Sequence, residues 1–391
     1  MIEAMFKRVA GLDVHLSNIV VTTLVEQEDG KLQETTREFR TFAKDLDILA
    51  RWLKEEKVEL AVMESTGIYW KKPYSTLEDH GIKTFVVNAR HVKQVPGRKT
   101  DVKDSQWLAS LARFGLLKAS FIPEKVLREL RILSRYRKKL TGMLASEKNR
   151  IHKVLVEAGI RLNEVVADVN SLSAQDIIAK LIEGEISEDL TKYLRGRARD
   201  KKHLLEDAIA VKLGSYHRFT LRMIREHIKH LEKELAMIDG EIYKGIEPYD
   251  EQWKLLQTIP GINTIAAALI IIEIGVDMQR FGSREQFCSW AGMCPGNNES
   301  AGHKKSGKTR KGNKMIRAIL CESAHAAAKT NSQFKTKYRG LVVRKGCKRA
   351  IVAIGHKMLR VIHCVLTDFL LRNQSIFLSN QALKVLFRFQ M

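Results

Sequence analysis

The stretch Lys99-Thr100-Asp101-Val102-Lys103-Asp104-Ser105-Gln106-Trp107-Leu108-Ala109 sets two carboxylates three residues apart at the head of an apolar-periodic run. On a helix the two project from one face. Alone, such a pair is also what capping and the helix dipole select. Two further acids, Asp13 in Gly-Leu-Asp-Val-His and Glu64 in Met-Glu-Ser-Thr-Gly, each close a short apolar run, and each taken singly reads equally well as a strand-end acid. Brought together, four carboxylates repel one another unless cations join them. An all-oxygen set suits Mg2+, which stabilises attacking and leaving oxygens at phosphorus. The candidate chemistry is Mg2+-dependent phosphoryl transfer on Asp13, Glu64, Asp101 and Asp104. Lys99 and Lys103 flank the pair as candidate phosphate contacts, with a solvated basic face as the plain alternative. His15 and Ser65 read as neighbours of the ligands or as turn residues.

A second constellation lies in the polar stretch from Asn297 to Lys314, where Ser300 and Ser306 stand among small residues and cations. Nearby positive charge stabilises a serine alkoxide and the phosphorane formed on attack, which makes Ser300 a candidate nucleophile. The cautious reading of the same stretch is a phosphate clamp made by Lys304, Lys305, Lys308, Arg310, Lys311 and Lys314.

The elements that must position the acids fall within residues 1–120. Arg8–His15, Asn18–Val25 and Leu32–Phe39 read as strands, Lys44–Glu56 as a helix, and the run from Glu59 to Glu64 as a buried strand ending on an acid and a Gly turn. Tyr74–His80, Lys83–Asn88 and Ser105–Phe114 follow as helix, strand and helix. The order βββαβαβα is the RNase H-like arrangement, in which acids of the first strand, the fourth strand and a late helix converge at one sheet edge.

Residues 121–250 read as a basic, helical coiled-coil segment. Leu130, Leu133, Leu140, Leu144, Ile151 and Leu155 form one heptad-like seam, and Leu221, Ile224, Ile228, Leu231, Leu235, Ile238 and Ile242 a second. An antiparallel hairpin within the chain and a dimerising coiled coil both fit. Contact between subunits is the preferred expectation, because a long two-helix arm has little core of its own. Nine cations, among them Arg131, Arg135, Arg137, Lys138, Lys139 and Arg150, decorate the first helix and point to phosphate contacts. Residues 160–205 read as an irregular helical insertion.

Residues 251–391 read as mainly α. Leu256 to Asn263 followed by Thr264 to Ile274 has the form of a helix-hairpin-helix whose turn at Gly261 presents amides to DNA phosphates. Met315–Thr330 and Lys348–Phe369 read as helices, with His356, Lys357 and Arg360 on the second facing phosphate or solvent.

Composition agrees with a polyanionic partner: 67 Lys and Arg against 45 Asp and Glu leave a formal net charge of +22. Nucleic acid comes first. An anionic membrane comes second and is set aside for want of a spanning apolar run, a signal peptide or a lipidation motif, so an intracellular protein is expected. Five cysteines, all in the last third and without Cys-x-x-Cys spacing, read as reduced thiols.

With Gly-Leu-Asp-Val-His, Met-Glu-Ser-Thr-Gly, Lys-Thr-Asp-Val-Lys-Asp, Thr-Ile-Pro-Gly-Ile and Asn-Glu-Ser-Ala-Gly in this order, the chain resembles the DEDD transposases of bacterial insertion sequences. These form the one-hundred-and-ten family, which includes the Piv-type DNA invertases. The resemblance implies a RuvC-like nuclease domain, a coiled-coil arm and a C-terminal transposase domain. It implies that Asp13, Glu64, Asp101 and Asp104 are the metal-binding tetrad and Ser300 the nucleophile, with Ser306 the one nearby competitor. It further implies cut-and-rejoin chemistry through a phosphoserine link to DNA, and tetrad and serine meeting across protomers in a dimer of dimers. A structured bridge RNA would choose target and donor, and the site of action would be cytoplasmic, at the nucleoid. The alternatives are a RuvC-like structure-specific nuclease that needs the tetrad but not Ser300, and a non-catalytic nucleic-acid-binding protein that needs neither.

Overall fold

Alternation of apolar residues over the first forty positions builds an antiparallel meander: β1 (Arg8–Val14), β2 (Asn18–Glu26) and β3 (Leu32–Arg40). The His15 N–H donates to the Asn18 carbonyl at 3.0 Å and closes the first turn. Helix α1 (Ala43–Glu55) then returns the chain so that β4 (Leu60–Glu64) pairs parallel to β1. After α2 (Lys71–Asp79), β5 (Thr84–Val87) pairs parallel to β4. The strand order is β3-β2-β1-β4-β5, and α3 (Asp104–Arg113) completes the element order expected of an RNase H-like sheet. The computed structural model describes residues 4–89, 92, 103–184, 189–296, 299–300, 303–304, 309 and 311–373.

The period of two sorts the sheet's side chains between two cores. Leu12, Val14, Ala61, Met63 and Val86 face α1 and α2, with Leu46, Leu49, Leu53 and Leu77. Val9, Leu60, Val62 and Val87 face α3, with Leu108, Ala109, Leu111 and Ala112. This sheet and its helices belong to a first unit, residues 1–125. A second unit spans residues 126–391.

In the second unit two long helices, α4 (Lys125–Glu157) and, after α5 (Leu172–Glu183), α6 (Ser215–Ile246), run antiparallel. Arg137 donates to both carboxylate oxygens of Asp239, Lys148 pairs with Glu232 at 2.9 Å, and Gly245 leaves room for Leu130. The two seams therefore meet inside the chain. The physical reason is the segment between the helices. Its short helical turns and α5 pack Ile160, Val165, Ile177, Ile178, Leu181, Leu190 and Leu205 onto Ile151, Leu155, Leu221 and Ile224, giving the arm the core that its sequence had not promised.

The remaining helices are α7 (Asp250–Gln257), α8 (Thr264–Ile274), α9 (Arg284–Trp290), α10 (Lys314–Ala327), α11 (Gln333–Lys345) and α12 (Cys347–Asn373), with a two-strand ladder, β6 (Glu299–Ser300) and β7 (His303–Lys304), between α9 and α10. Helix α8 is buried from Ala267 to Ile274, the mark of a central core helix. The span Cys347–Phe369 of α12 is long and apolar enough to cross a bilayer by length and composition, contrary to the expectation that no such run exists. Half of it is buried in the fold, where Ile354, Met358, Leu359, Ile362 and Leu366 pack, as they would in a core helix of a globular unit.

Candidate functional site

Asp13 and Glu64 take their places from strand register. The parallel pairing of β1 and β4 ends with Leu12 opposite Met63, so Asp13 and Glu64 are the next residues along neighbouring strands, about 4.8 Å apart in backbone. Both lie on the face covered by α3, and both are half-buried. Helix α3 crosses that face antiparallel to β1. Its C-terminal Arg113 carbonyl accepts from the Met5 and Phe6 amides before β1, whereas its first turn lies over Gly11. A Cβ at Gly11 would stand 2.0 Å from the Ser105 carbonyl oxygen and 2.5 Å from the Ala109 nitrogen, so only glycine admits the helix here. Ser105 is also tied to the sheet, because its hydroxyl and that of Thr22, the strand partner of Gly11, share a buried 2.9 Å hydrogen bond. The N-terminus of α3 is thereby fixed at the Asp13 end of the sheet, with the exposed Asp104 as its first residue and Lys103 just before it.

Three of the four predicted acids are thus brought to one edge. Asp101 and Lys99 lie outside the described residues. Among the described residues no group of three or more His, Cys, Asp or Glu is close enough to hold a metal ion ready-made. The donor set itself, carboxylates only, is of the kind that hard divalent cations take. His15 reaches Asp13 at 3.1 Å with its Nε2 and is more than half exposed, consistent with a neighbour of the ligands.

The serine constellation is held at its base. Ser300 pairs in the β6–β7 ladder with His303, and Pro295 bridges Thr309. Gly292 and Gly312 pass so closely that a Cβ on Gly312 would meet the Gly292 nitrogen at 2.2 Å. Arg317 donates to the Gly292 carbonyl at 3.3 Å and to the Thr309 hydroxyl at 2.7 Å. Asn313 then joins three elements. Its amide N–H donates to the Trp290 carbonyl, its Oδ1 caps α10 by accepting from Met315 and Ile316, and its Nδ2 donates to Glu273 Oε2 at 2.7 Å.

Glu273 was not singled out in the sequence, and it is fully buried in α8. Arg131 of α4 faces it at 3.3 Å and also donates to the Ile272 and Glu273 carbonyls, while Arg135 stands 4.0 Å from Oε1, which has no hydrogen-bond partner. Burial holds Arg131 below the usual arginine range, Glu273 opposing the shift. An acid within Ile-Ile-Ile-Glu-Ile was the available signal, since a buried carboxylate requires partners.

The predicted basic face of α4 is partly consumed by such pairs. Arg131 and Arg137 serve Glu273 and Asp239, Lys148 pairs with Glu232, and Arg150 pairs with Glu147 one turn away. Lys138, Lys139 and Lys153 remain exposed, and Arg135 is half exposed. Lys311 and Lys314 are exposed at the end of the serine stretch, whereas Lys305, Lys308 and Arg310 lie outside the described residues and only the backbone of Lys304 is described. At Gly261 the structure gives the residue a packing reason of its own. Its φ is +90°, and a Cβ would stand 2.4 Å from the Ser323 carbonyl and 2.6 Å from the Ala327 nitrogen, so packing on α10 by itself demands glycine.

Two family models match the chain. One, described as a DEDD IS110 transposase, covers residues 10–160, and the other, the IS116/IS110/IS902 transposase family, covers residues 253–339; together they span more than half of the chain. The chain is 25% identical over 327 residues to the transposase for insertion sequence element IS1111A of Coxiella burnetii, covering 80% of this chain and 78% of that protein. It is 26% identical over 189 residues to the pilin gene-inverting protein of Moraxella bovis, covering 45% of this chain and 56% of that one. The RuvC structure of Thermus thermophilus aligns with 29% of this chain and 99% of its own at 13% identity and a TM-score of 0.22, a likeness too slight to identify a fold.

Proposed function

We infer that this chain, which belongs to the IS116/IS110/IS902 transposase family, cuts and rejoins DNA through a divalent-metal carboxylate centre and a serine nucleophile. What supports this reading is that strand register sets Asp13 beside Glu64 and that the seating of α3 on Gly11 starts that helix, at Asp104, toward the same end of the sheet. Asp101, three residues before Asp104, is the fourth member. These carboxylates would hold Mg2+, whose chemistry when bound is to polarise the scissile phosphate and stabilise the oxygens of attack and departure. Ser300 attacks phosphorus, its proton leaving to solvent or to a neighbouring base as the O–P bond forms and the bond to the leaving 3′ or 5′ oxygen breaks. The resulting phosphodiester to serine conserves the bond energy until a second DNA end displaces the hydroxyl, so no nucleotide triphosphate is consumed.

The neck supports this role by fixing both ends of the serine stretch. Arg317 ties Gly292 to Thr309, Asn313 ties its own end to Trp290, and the buried Glu273 holds Asn313 in place. Exposed cations of α4 and of the stretch itself draw phosphates to the site. Assembly of more than one protomer on DNA and guidance by a structured bridge RNA complete the reading.

The test uses purified protein, its element-end DNA and guide RNA, with Mg2+ added or chelated. Asp13→Asn and Asp104→Asn, each retaining DNA binding, are expected to lose cleavage by at least a hundredfold, and chelation to do the same to the unaltered chain. Cleavage that survives both acid substitutions would overturn the carboxylate centre. Cleavage that survives Ser300→Ala would favour the hydrolytic nuclease instead.

A further inference from the structure

Helices α9, α11 and α12 line an open-sided cavity of about 410 Å³ that belongs to neither constellation above. One stripe of α12, from Ala353 through Lys357, Arg360, Val361 and Val365 to Asp368, recurs at helical spacing and forms its floor. Helix α11 adds Lys337 and Leu341, and α9 adds Arg284. On the other side of α12, Gly355 admits Met293 at the neck of the serine stretch, so one helix carries both features.

Charge and shape together select the occupant. Four cations line the cavity against one carboxylate, Asp368, with Glu285 at 3.6 Å from Arg284 on the rim. The cations press on one another: burial, then Lys337 and Arg360, hold Lys357 below the usual lysine range, and burial, then Arg360, lower His356. A cluster of like charge on one wall attracts an anion. A bare phosphate would leave most of the space empty, and the rest of the wall is apolar, made of Leu341, Ala353, Val361 and Val365. The volume is that of a small-ligand site, and an apolar wall beside cations suits a base joined to a phosphate. We propose that this cavity holds one nucleotide unit of a single strand, its phosphate among Lys337, Lys357 and Arg360 and its base against Leu341, Ala353 and Val361. Only the choice of a strand as the source rests on the recombinase reading; charge and shape select a nucleotide without it.

The test is calorimetric titration of the full chain with dAMP, AMP, deoxyadenosine and inorganic phosphate. Two variants act on different parts of the site: Ala353→Phe fills the cavity and leaves the cations, and Lys337→Glu inverts an exposed cation and leaves the cavity. Nucleotide binding at least tenfold tighter than that of deoxyadenosine or phosphate, and weakened at least tenfold by each variant, supports the site. A preference between AMP and dAMP supports it equally and names the strand. With an undecathymidylate carrying one internal 2-aminopurine, emission is expected to rise on binding as the base leaves its stack, and Ala353→Phe to abolish the rise without changing the salt slope of strand binding. Phosphate binding as tight as dAMP, or dAMP binding unchanged in both variants, overturns the proposal. Loss of the serine chemistry in a separate assay would leave these titrations untouched, so the two readings fail separately.

Discussion

Exchanging Glu273 for Gln and Asn313 for Asp, singly and together, measures what holds the serine stretch at its neck. Glu273→Gln is nearly isosteric, but it removes the charge that Arg131, 16% exposed, faces at 3.3 Å, and it can set an amide against the donor that Asn313 presents at 2.7 Å. Breaking one side of a buried pair costs about 3–5 kcal/mol. Arg131 keeps the Ile272 and Glu273 carbonyls as partners, so the low end applies, about 3 kcal/mol or roughly 6–12 °C in midpoint for a unit of this size. Asn313→Asp keeps the cap on α10 but opposes two carboxylates across that same contact, and about 2–3 kcal/mol is expected to be lost. In the double variant the new amide donates to the new carboxylate, the cap survives, and a negative charge stays near Arg131. Its expected loss is about 1–3 kcal/mol less than the sum of the singles, the coupling of residues in one network. Urea melts followed by circular dichroism give the energies, and single-turnover adduct formation at saturating DNA reads the positioning: each single variant slows it at least tenfold, and the double variant recovers most of the rate. Additivity within about 0.5 kcal/mol, or singles whose adduct rate is unchanged, would refute the reasoning.

Gly11→Ala drives a methyl into the first turn of α3, 2.0 Å from the Ser105 carbonyl, and is expected to cost about 3 kcal/mol in thermal unfolding together with DNA cleavage. A normal melting curve would mean that α3 is not seated there. Gly261→Ala, strained at φ +90° and 2.4 Å from the Ser323 carbonyl, is expected to lose about 2–3 kcal/mol while the salt dependence of DNA binding stays the same. A changed salt slope with normal stability would mark the turn as a phosphate contact instead. Burial pushes the Cys288 thiol up to about 12, so at pH 8 it stays protonated and iodoacetamide should label the exposed Cys347 well before it. Equal labelling of the two in the folded protein would contradict the packing of α9.

The strands carrying Asp13 and Glu64 were legible because each is an apolar run closed by an acid, and the order of elements around them followed from the same alternation. What joins the acids was harder to see. Gly11 within a strand was the one local sign of a close approach, and the Thr22–Ser105 bond links residues 83 positions apart with no pattern to announce it. The two heptad seams were legible as helices but not as a pair, since a hairpin within the chain and a coiled coil between chains demand the same periodicity. The packed segment between them is what builds the hairpin within the chain, and no period in the sequence announces it. Helix α11, with Phe334 its one buried residue, offers almost no apolar period and was missed. Ser300 stood out by its family motif rather than by physics, and Glu273 went unnoticed because its α8 neighbours are uniformly apolar.

The central claim is a covalent link through Ser300, and mass spectrometry of trypsin-digested protein after reaction with Mg2+, guide RNA and element-end DNA tests it most directly. Cleavage after Arg284 and Lys304 releases Ser300 in the peptide 285–304, while Ser306 falls in 306–308. The account predicts nucleotide mass on the former, at Ser300, lost in Ser300→Ala and retained in Ser306→Ala. Cleaved DNA with no nucleotide on any serine, or the adduct on the peptide of Ser306, would contradict it.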